Sequence, residues 1–238
     1  MTFLLIHGAW HGAWCWKRLV DTLAGLGHDA VAIDLPGAEP GGEPGWGISL
    51  ADYARTINET AEAIEGDVHL VGHSLGGLSI STAAEQRPDL YASLTYVAAF
   101  MLKDQSLLDV VMKGYEAPLL NEATKIPNLF RGYGEIKPRA APAAFYNNCA
   151  KNDADNASEQ LCPQSSRPTF TKVRVTDERW GSIPRYYVHC TQDNALPLAN
   201  QKAFVATLPC AGTVELDTDH SPFLSTPRQL AEALIQLS

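Results

Sequence analysis

The sequence is short of several things, and each shortage closes a class of function. Basic residues are outnumbered, with 18 Lys and Arg against 27 Asp and Glu for a net charge of −9. Those present are scattered, so no clustered positive surface is available for a phosphate backbone or an anionic membrane. Long hydrophobic runs are missing: the longest, Tyr96 to Leu102, falls far short of the ~20 residues that span a bilayer. The N-terminus offers only Phe3-Leu4-Leu5-Ile6 before His7, with no basic flank and no cleavage site, and does not read as a secretory signal. The five cysteines, Cys15, Cys149, Cys162, Cys190 and Cys210, are odd in number and without a C-x-x-C pair. They read as reduced thiols in a cytoplasmic protein, with a Cys149 to Cys162 bridge left open. No spacing of Cys, His, Asp and Glu suits a metal site, and no repeat or low-complexity stretch is present.

What remains is enough for a folded core. A chain of 238 residues, 45% hydrophobic and 19% charged, reads as one domain over residues 1–238 that needs no disulfide or metal staple. Phe3 to Ile6 is a wholly apolar strand of the kind found in parallel sheets covered on both faces. A helix follows with Trp16, Leu19, Val20, Leu23 and Leu26 on one face and Gly27 as its stop. Ala30 to Ile33 is a second strand, and residues 37–47, rich in Gly and Pro, form a loop. Ser49 and Asp52 make a capping box for a helix carrying Leu50, Tyr53, Ala54, Ile57, Ala61 and Ile64. Val68 to Val71 and Leu94 to Ala99 are the third and fourth strands, separated by a helix that ends before Pro88. Strict alternation predicts a parallel sheet with right-handed crossovers.

From about residue 101 to 180 the pattern changes. Leu107 to Met112 and Ala143 to Ala150 look helical, no strand of any length stands out, and the stretch is too long for a plain loop. It is expected to be a helical lid inserted over the sheet after the fourth strand. Alternation resumes with a strand at Arg185 to Cys190, a helix at Leu198 to Leu208, a strand at Thr213 to Leu216, and a last helix opened by Thr226-Pro227-Arg228-Gln229. The expectation is an α/β architecture: a mostly parallel six-stranded sheet with helices on both faces.

Gly72-His73-Ser74-Leu75-Gly76 lies between the third strand and the following helix. Small residues two before and two after a serine let a strained strand-to-helix turn close with the hydroxyl exposed, the nucleophile-elbow pattern. The pentapeptide is common in unrelated chains; strand, helix and partners are what give it meaning. A serine hydroxyl needs a positioned base, and the base needs an acid to fix its tautomer. Of seven histidines, His69 and His189 lie inside strands and His28 at a helix-to-strand junction. His220 follows the sixth strand and is the expected base. Asp193 follows the fifth strand and is the expected acid, with Asp104 as its rival, and Asp217 and Asp219 read as solvated loop charges. The order Ser74, Asp193, His220 is that of an α/β-hydrolase fold. Backbone N–H groups of Leu75 and Ala9 are the expected oxyanion donors.

Leu5-Ile6-His7-Gly8-Ala9-Trp10-His11-Gly12-Ala13-Trp14-Cys15-Trp16, Gly72-His73-Ser74-Leu75-Gly76-Gly77, Tyr187-Val188-His189-Cys190-Thr191-Gln192-Asp193 with Pro197 and Gln201, and Asp219-His220-Ser221-Pro222 together resemble the hydroxynitrile lyase and plant methylesterase branch of the α/β-hydrolases. The resemblance covers both flanks and thins out in the lid. It implies a cofactor-free triad enzyme with a helical cap over a largely apolar pocket, and a sheet without the usual opening hairpin. The lyases of that branch carry Thr after the first-strand His, Glu-Ser-Cys at the elbow and Lys after the catalytic His. Gly8, His73, Leu75 and Ser221 stand in those places here and favour an esterase.

The expected activity is therefore serine carboxylic ester hydrolysis on small to medium apolar or aromatic esters. A carbon-carbon lyase and a non-catalytic small-molecule receptor on the same fold are the alternatives. Gly8, Trp10, His73, Phe145 and Tyr146, with Phe170 beside them, are candidate substrate contacts. No cofactor and no metal is expected. The partner is a small-molecule ester, not nucleic acid or membrane, and a homodimer is an allowed assembly.

Overall fold

Apolar strands alternate with amphipathic helices, and each strand has two faces to cover. In the computed structural model, which describes residues 1–39, 41–114, 117–128 and 130–238, this produces a sheet lying between two helical layers. The first half runs β1 (Thr2–Ile6), α1 (Lys17–Gly25), β2 (Asp29–Ile33), α2 (Leu50–Glu62), β3 (Val68–His73), α3 (Gly76–Gln86) and β4 (Ser93–Val97). An insertion follows with α4 (Leu107–Met112), α5 (Pro118–Ala123), β5 (Thr124–Asn128), β6 (Tyr133–Ile136), α6 (Ala141–Phe145), α7 (Lys151–Glu159), β7 (Gln164–Ser165) and α8 (Arg167–Phe170). The chain closes with β8 (Arg185–Cys190), α9 (Leu198–Thr207), β9 (Gly212–Leu216), α10 (Pro222–Ser225) and α11 (Pro227–Gln236).

The main sheet has the order β2-β1-β3-β4-β8-β9, and every pairing in it is parallel. Side chains alternate across it. Leu4, Ile6, Leu70 and Leu94 pack with Tyr53, Ile57, Leu78 and Ile80 from α2 and α3. Phe3, Leu5, Val71 and Val188 pack with Leu19, Leu23, Leu230 and Leu234 from α1 and α11. The strands carry apolar residues at consecutive positions because both faces are covered. The Ser49–Asp52 capping box forms as the sequence predicts, each side chain accepting the other's backbone N–H.

The order of strands reverses at β1, which has β2 on one side and β3 on the other. Such a switch point leaves a crevice beyond the carboxyl ends of the strands. His7, Ser74, Asp193 and His220 all follow the carboxyl ends of strands, those of β1, β3, β8 and β9.

The insertion departs from the sequence reading in two ways. It holds a three-stranded antiparallel sheet, β5-β6-β7, where no strand was expected. These strands are short, and Pro127 and Gly134 interrupt their pattern, which erases the period-two signal. Of the helix expected over Ala143 to Ala150, only the end of α6, to Phe145, forms; residues 146–150 are a break before α7. There the Asn148 N–H donates to the Asp219 carboxylate at 2.9 Å rather than continuing the helix. At the last helix, Thr226 makes no side-chain cap; its hydroxyl donates to Thr218 Oγ1 at 3.3 Å. Among the described residues no helix is long and apolar enough to cross a membrane, and no cluster of three His, Cys, Asp or Glu suits a metal ion.

Candidate active site

Ser74 sits at the apex between β3 and α3 with φ 52°, in the left-handed region that non-glycine residues rarely occupy. The turn around it is overdetermined: Ser74 N–H donates to Val97 O at 3.3 Å, and Gly77 and Phe100 N–H both donate to Ser74 O at 3.1 Å. Gly76 permits the close approach of α3 to β1, since a Cβ there would lie 2.8 Å from the carbonyl oxygens of both Ile6 and His7. Gly8 does the same on the other side. A Cβ at Gly8 would lie 2.7 Å from Ser74 Cβ and 2.9 Å from His73 Nδ1, so the loop after β1 is pressed directly against the serine.

Asp193 and His220 meet at the far ends of β8 and β9. His220 Nδ1 donates to Asp193 Oδ2 at 2.7 Å, with both side chains buried. In the neutral ring this leaves Nε2 as the lone-pair nitrogen. Three further donors hold the carboxylate: Ala195 N at 2.8 Å and Leu196 N at 2.7 Å on Oδ1, and Gln201 Nε2 at 3.2 Å on Oδ2. Gln201 is itself locked, its amide oxygen accepting from Cys190 N and its nitrogen also donating to the Cys190 and Leu196 carbonyls. Ser74 and His220 line the same cavity. Ser74 Oγ hydrogen-bonds to no described residue in this conformation, and apo sites commonly tighten this contact only around substrate.

Asp104, the rival acid, is exposed. Asp217 is also exposed and accepts from Thr191 and Gln192, as a surface loop charge does. Asp219 corrects the sequence reading: it is fully buried, accepting from Ser221 N at 3.0 Å, Ser225 Oγ at 2.8 Å and Asn148 N at 2.9 Å. It fastens the His220 loop to the insertion.

The loop after β1 is ordered by histidines. Leu35 N–H donates to His7 Nε2 at 3.0 Å, so the proton sits on Nδ1 and is donated to Gly8 O at 2.8 Å. His11 Nδ1 donates to Ala9 O at 2.8 Å, and Tyr146 donates its hydroxyl to His11 Nε2 at 2.8 Å. Burial pushes His7 below its ordinary range and His11 down to about 3, so both rings are neutral. Neither Ala9 N–H nor Leu75 N–H donates to an acceptor among the described residues, and both residues line the cavity with Ser74 and His220.

That cavity, about 120 Å³, also takes in Trp10, Phe100, Phe145 and Leu196. It shares Trp10, Leu107, Val111, Asn121, Gln164 and Thr169 with an outer chamber of about 370 Å³ that Phe170 joins. Among the described residues no Lys, Arg, Asp or Glu lines either chamber. Trp10 and Phe145, two of the candidate contacts, line this cavity. His73 and Tyr146 line neither chamber: His73 lies fully buried behind the site, donating Nε2–H to His220 O at 2.7 Å, and Tyr146 is buried against His11. Burial and the nearby His220 and His11 rings push His73 well below its ordinary range. Gly8 supports Ser74 and lines neither chamber. Sequence reading missed the insertion residues Leu107, Val111, Asn121, Gln164 and Thr169, for which no motif exists. All five cysteines are free, so Cys149 and Cys162 are not bridged.

A parallel sheet with this elbow and these strand-end loops defines an α/β-hydrolase, and the chain belongs to the alpha/beta hydrolase family, whose model matches residues 3–233. Methylesterase 18 of Arabidopsis thaliana is 33% identical over 255 residues, covering 98% of this chain and 95% of the relative. Salicylic acid-binding protein 2 of Nicotiana tabacum is 30% identical over 255 residues, covering 99% and 96%. Among solved structures, a pyrethroid hydrolase from Sphingobium faniae JZ-2 superposes with a TM-score of 0.89 at 27% identity, covering 99% of this chain and 96% of that one. Polyneuridine aldehyde esterase superposes at 0.83 with 26% identity, covering 99% and 98%. Within the family the chain belongs with the methylesterase-like branch and is a carboxylesterase-type hydrolase.

Proposed function

We propose that the chain hydrolyses small to medium uncharged esters with apolar or aromatic bodies through an acyl-enzyme on Ser74. His220 Nε2 takes the Ser74 proton as Oγ attacks the ester carbonyl, and Asp193 holds the imidazole in the required tautomer and stabilises the imidazolium that forms. The N–H groups of Ala9 and Leu75 receive the developing oxyanion, with the N-terminus of α3 adding favourable field. His220 then gives its proton to the leaving alcohol, and a water deprotonated by the same nitrogen releases the acid.

The observation that carries this reading is the buried Asp193–His220 hydrogen bond at the wall of the cavity that Ser74 enters. That no Lys, Arg, Asp or Glu among the described residues lines it supports a substrate without a net charge, since an unpaired ion there would be desolvated at high cost. The lyase alternative is disfavoured because Gly8 has no space for the threonine side chain that the lyases carry there. The proposal includes a cytoplasmic setting, a small-molecule partner and a homodimer as an allowed assembly.

Hydrolysis of p-nitrophenyl acetate, its loss in Ser74→Ala, and a single organophosphonate adduct on Ser74 by mass spectrometry test the proposal. Ligand binding without turnover in the wild type would point to a receptor. Release of benzaldehyde from mandelonitrile without ester cleavage would point to a lyase.

A further inference from the structure

The loop carrying the Ala9 N–H is not held by the sheet alone. Bonds to the insertion tie it down: Trp10 Nε1 donates to Gly134 O of β6 at 3.2 Å, Cys162 N donates to Trp10 O at 2.9 Å, the Cys162 thiol donates to Trp10 O and His11 O at 3.5 Å, and Tyr146 donates to His11 Nε2 at 2.8 Å. The loop needs such fastening because Trp10 has φ 62°, a left-handed conformation that persists only where surrounding bonds enforce it.

His11 is central to that fastening. Its ring is enclosed by Trp14, Phe145, Phe223 and His73, and each nitrogen has one role. A carbonyl can only accept, so Nδ1 must carry the proton toward Ala9 O, and Nε2 must accept from Tyr146. The hydroxyl of Tyr146 thereby selects the tautomer that grips Ala9. The two peptide planes flanking the Ala9 Cα are held by two rings: His7 grips Gly8 O and His11 grips Ala9 O. In a trans peptide the N–H points opposite to the C=O. Fixing Gly8 O fixes the direction of the Ala9 N–H, and fixing Ala9 O stops the loop from swinging about that point.

We propose that Tyr146 and His11 are a positioning pair through which the insertion holds the Ala9 N–H in oxyanion-binding geometry, so that transition-state binding, and not ground-state binding, depends on the Tyr146 hydroxyl. This rests on the esterase reading above. Neither residue touches the substrate cavity.

The test is Tyr146→Phe, which keeps the packed ring and removes only the hydroxyl. We expect kcat on p-nitrophenyl acetate to fall about 10- to 100-fold, below the full loss of one oxyanion donor, with KM within about twofold of wild type. An aryl trifluoromethyl ketone is the second readout: Ser74 Oγ adds to its carbonyl carbon, the serine proton passes to His220, and the carbonyl becomes an alkoxide. Its inhibition constant should weaken by the same factor as kcat, while the dissociation constant of the matching aryl methyl ketone should not change. Wild-type kcat in Tyr146→Phe, or equal weakening of both ketones, overturns the proposal. If Tyr146→Phe lowers Tm so far that it is unfolded at assay temperature, His11→Gln is measured in the same way, and the same split or its absence decides the matter. A wild-type chain that turns over no ester and binds no trifluoromethyl ketone would sink the esterase reading and the positioning pair with it. An active wild type with an unaffected Tyr146→Phe sinks the positioning pair alone.

Discussion

Replacing Asp193 with Asn changes one atom and inverts the hydrogen-bond logic around it. Four donors converge on the carboxylate: the N–H groups of Ala195 and Leu196 on one oxygen, His220 Nδ1 and Gln201 Nε2 on the other. An amide has one acceptor end. The two backbone donors cannot rotate away, so the Asn oxygen faces them and its NH₂ faces His220 and Gln201. Gln201 cannot turn over to accept, because its nitrogen already serves the Cys190 and Leu196 carbonyls and its oxygen serves Cys190 N. Donor then faces donor at a buried site, which costs about 1–3 kcal/mol and lowers Tm by roughly 2–12 °C for a chain of this size. His220 adapts by moving its proton from Nδ1 to Nε2, and Nε2 can then no longer accept from Ser74. The wrong tautomer lowers kcat by about 10³- to 10⁴-fold, equivalent to about 4–5.5 kcal/mol of barrier. Initial rates on p-nitrophenyl acetate at 25 °C, with circular dichroism to show the variant folded, make the measurement. Asp104→Asn, at an exposed carboxylate, is the control and should leave the rate unchanged. A folded Asp193→Asn with kcat within tenfold of wild type, or an equal loss in the control, would refute the assignment of Asp193.

Gly8→Thr should abolish ester turnover, by at least about a hundredfold, because its Cβ would lie 2.7 Å from Ser74 Cβ; ester turnover within a few-fold of wild type, or a gain of mandelonitrile cleavage, would contradict this. Acid should destabilise the fold earlier than carboxylate titration explains. His11 titrates at about 3 folded and near 6.5 unfolded, so only the unfolded state binds its proton in that window. Its contribution is complete above pH 6.5 and falls by about 1.4 kcal/mol per pH unit below it. His7 and His73 shift in the same direction. Urea midpoints at pH 7 and pH 5 measure this, and equal midpoints would show that these rings are not buried neutral. Thiol reactivity should be low, since burial pushes Cys162 and Cys210 up to about 11 and Cys149 higher still. Titration of the native protein with a disulfide reagent at pH 8 should be slow, and two fast thiols would contradict the packing.

Much of the framework was legible because its signals are local. Apolar strands at Thr2–Ile6 and Val68–His73, the capping box at Ser49, and a serine pinched between Gly72 and Gly76 each depend on a few neighbouring residues. The assignment of Asp193 and His220 to strand ends needed only the order of elements. What failed was what depends on contacts across the chain. His73 and Tyr146 look like pocket residues beside functional neighbours, yet both face away, because their polar atoms find His220 O and His11 Nε2. Asp219 looks like a loop charge, yet donors from two separate segments, Asn148 N–H and the Cys149 thiol on one and Ser221 N–H and the Ser225 hydroxyl on the other, hold it buried. The β5-β6-β7 sheet is too short and interrupted to show a period.

The sequence by itself determined the alternation that makes a parallel sheet, the strained turn at Ser74, and the chain order of serine, acid and histidine, since backbone sterics and hydrophobic periodicity act over a few residues. Only the tertiary structure decided which atoms meet. It brought His220 to Asp193 across 27 positions and Tyr146 to His11 across 135, and it built a cavity that no Lys, Arg, Asp or Glu among the described residues lines, in part from an insertion that carries no motif. Those outcomes depend on which donors and acceptors are left unpaired once the sheet has closed, and that accounting exists only in three dimensions.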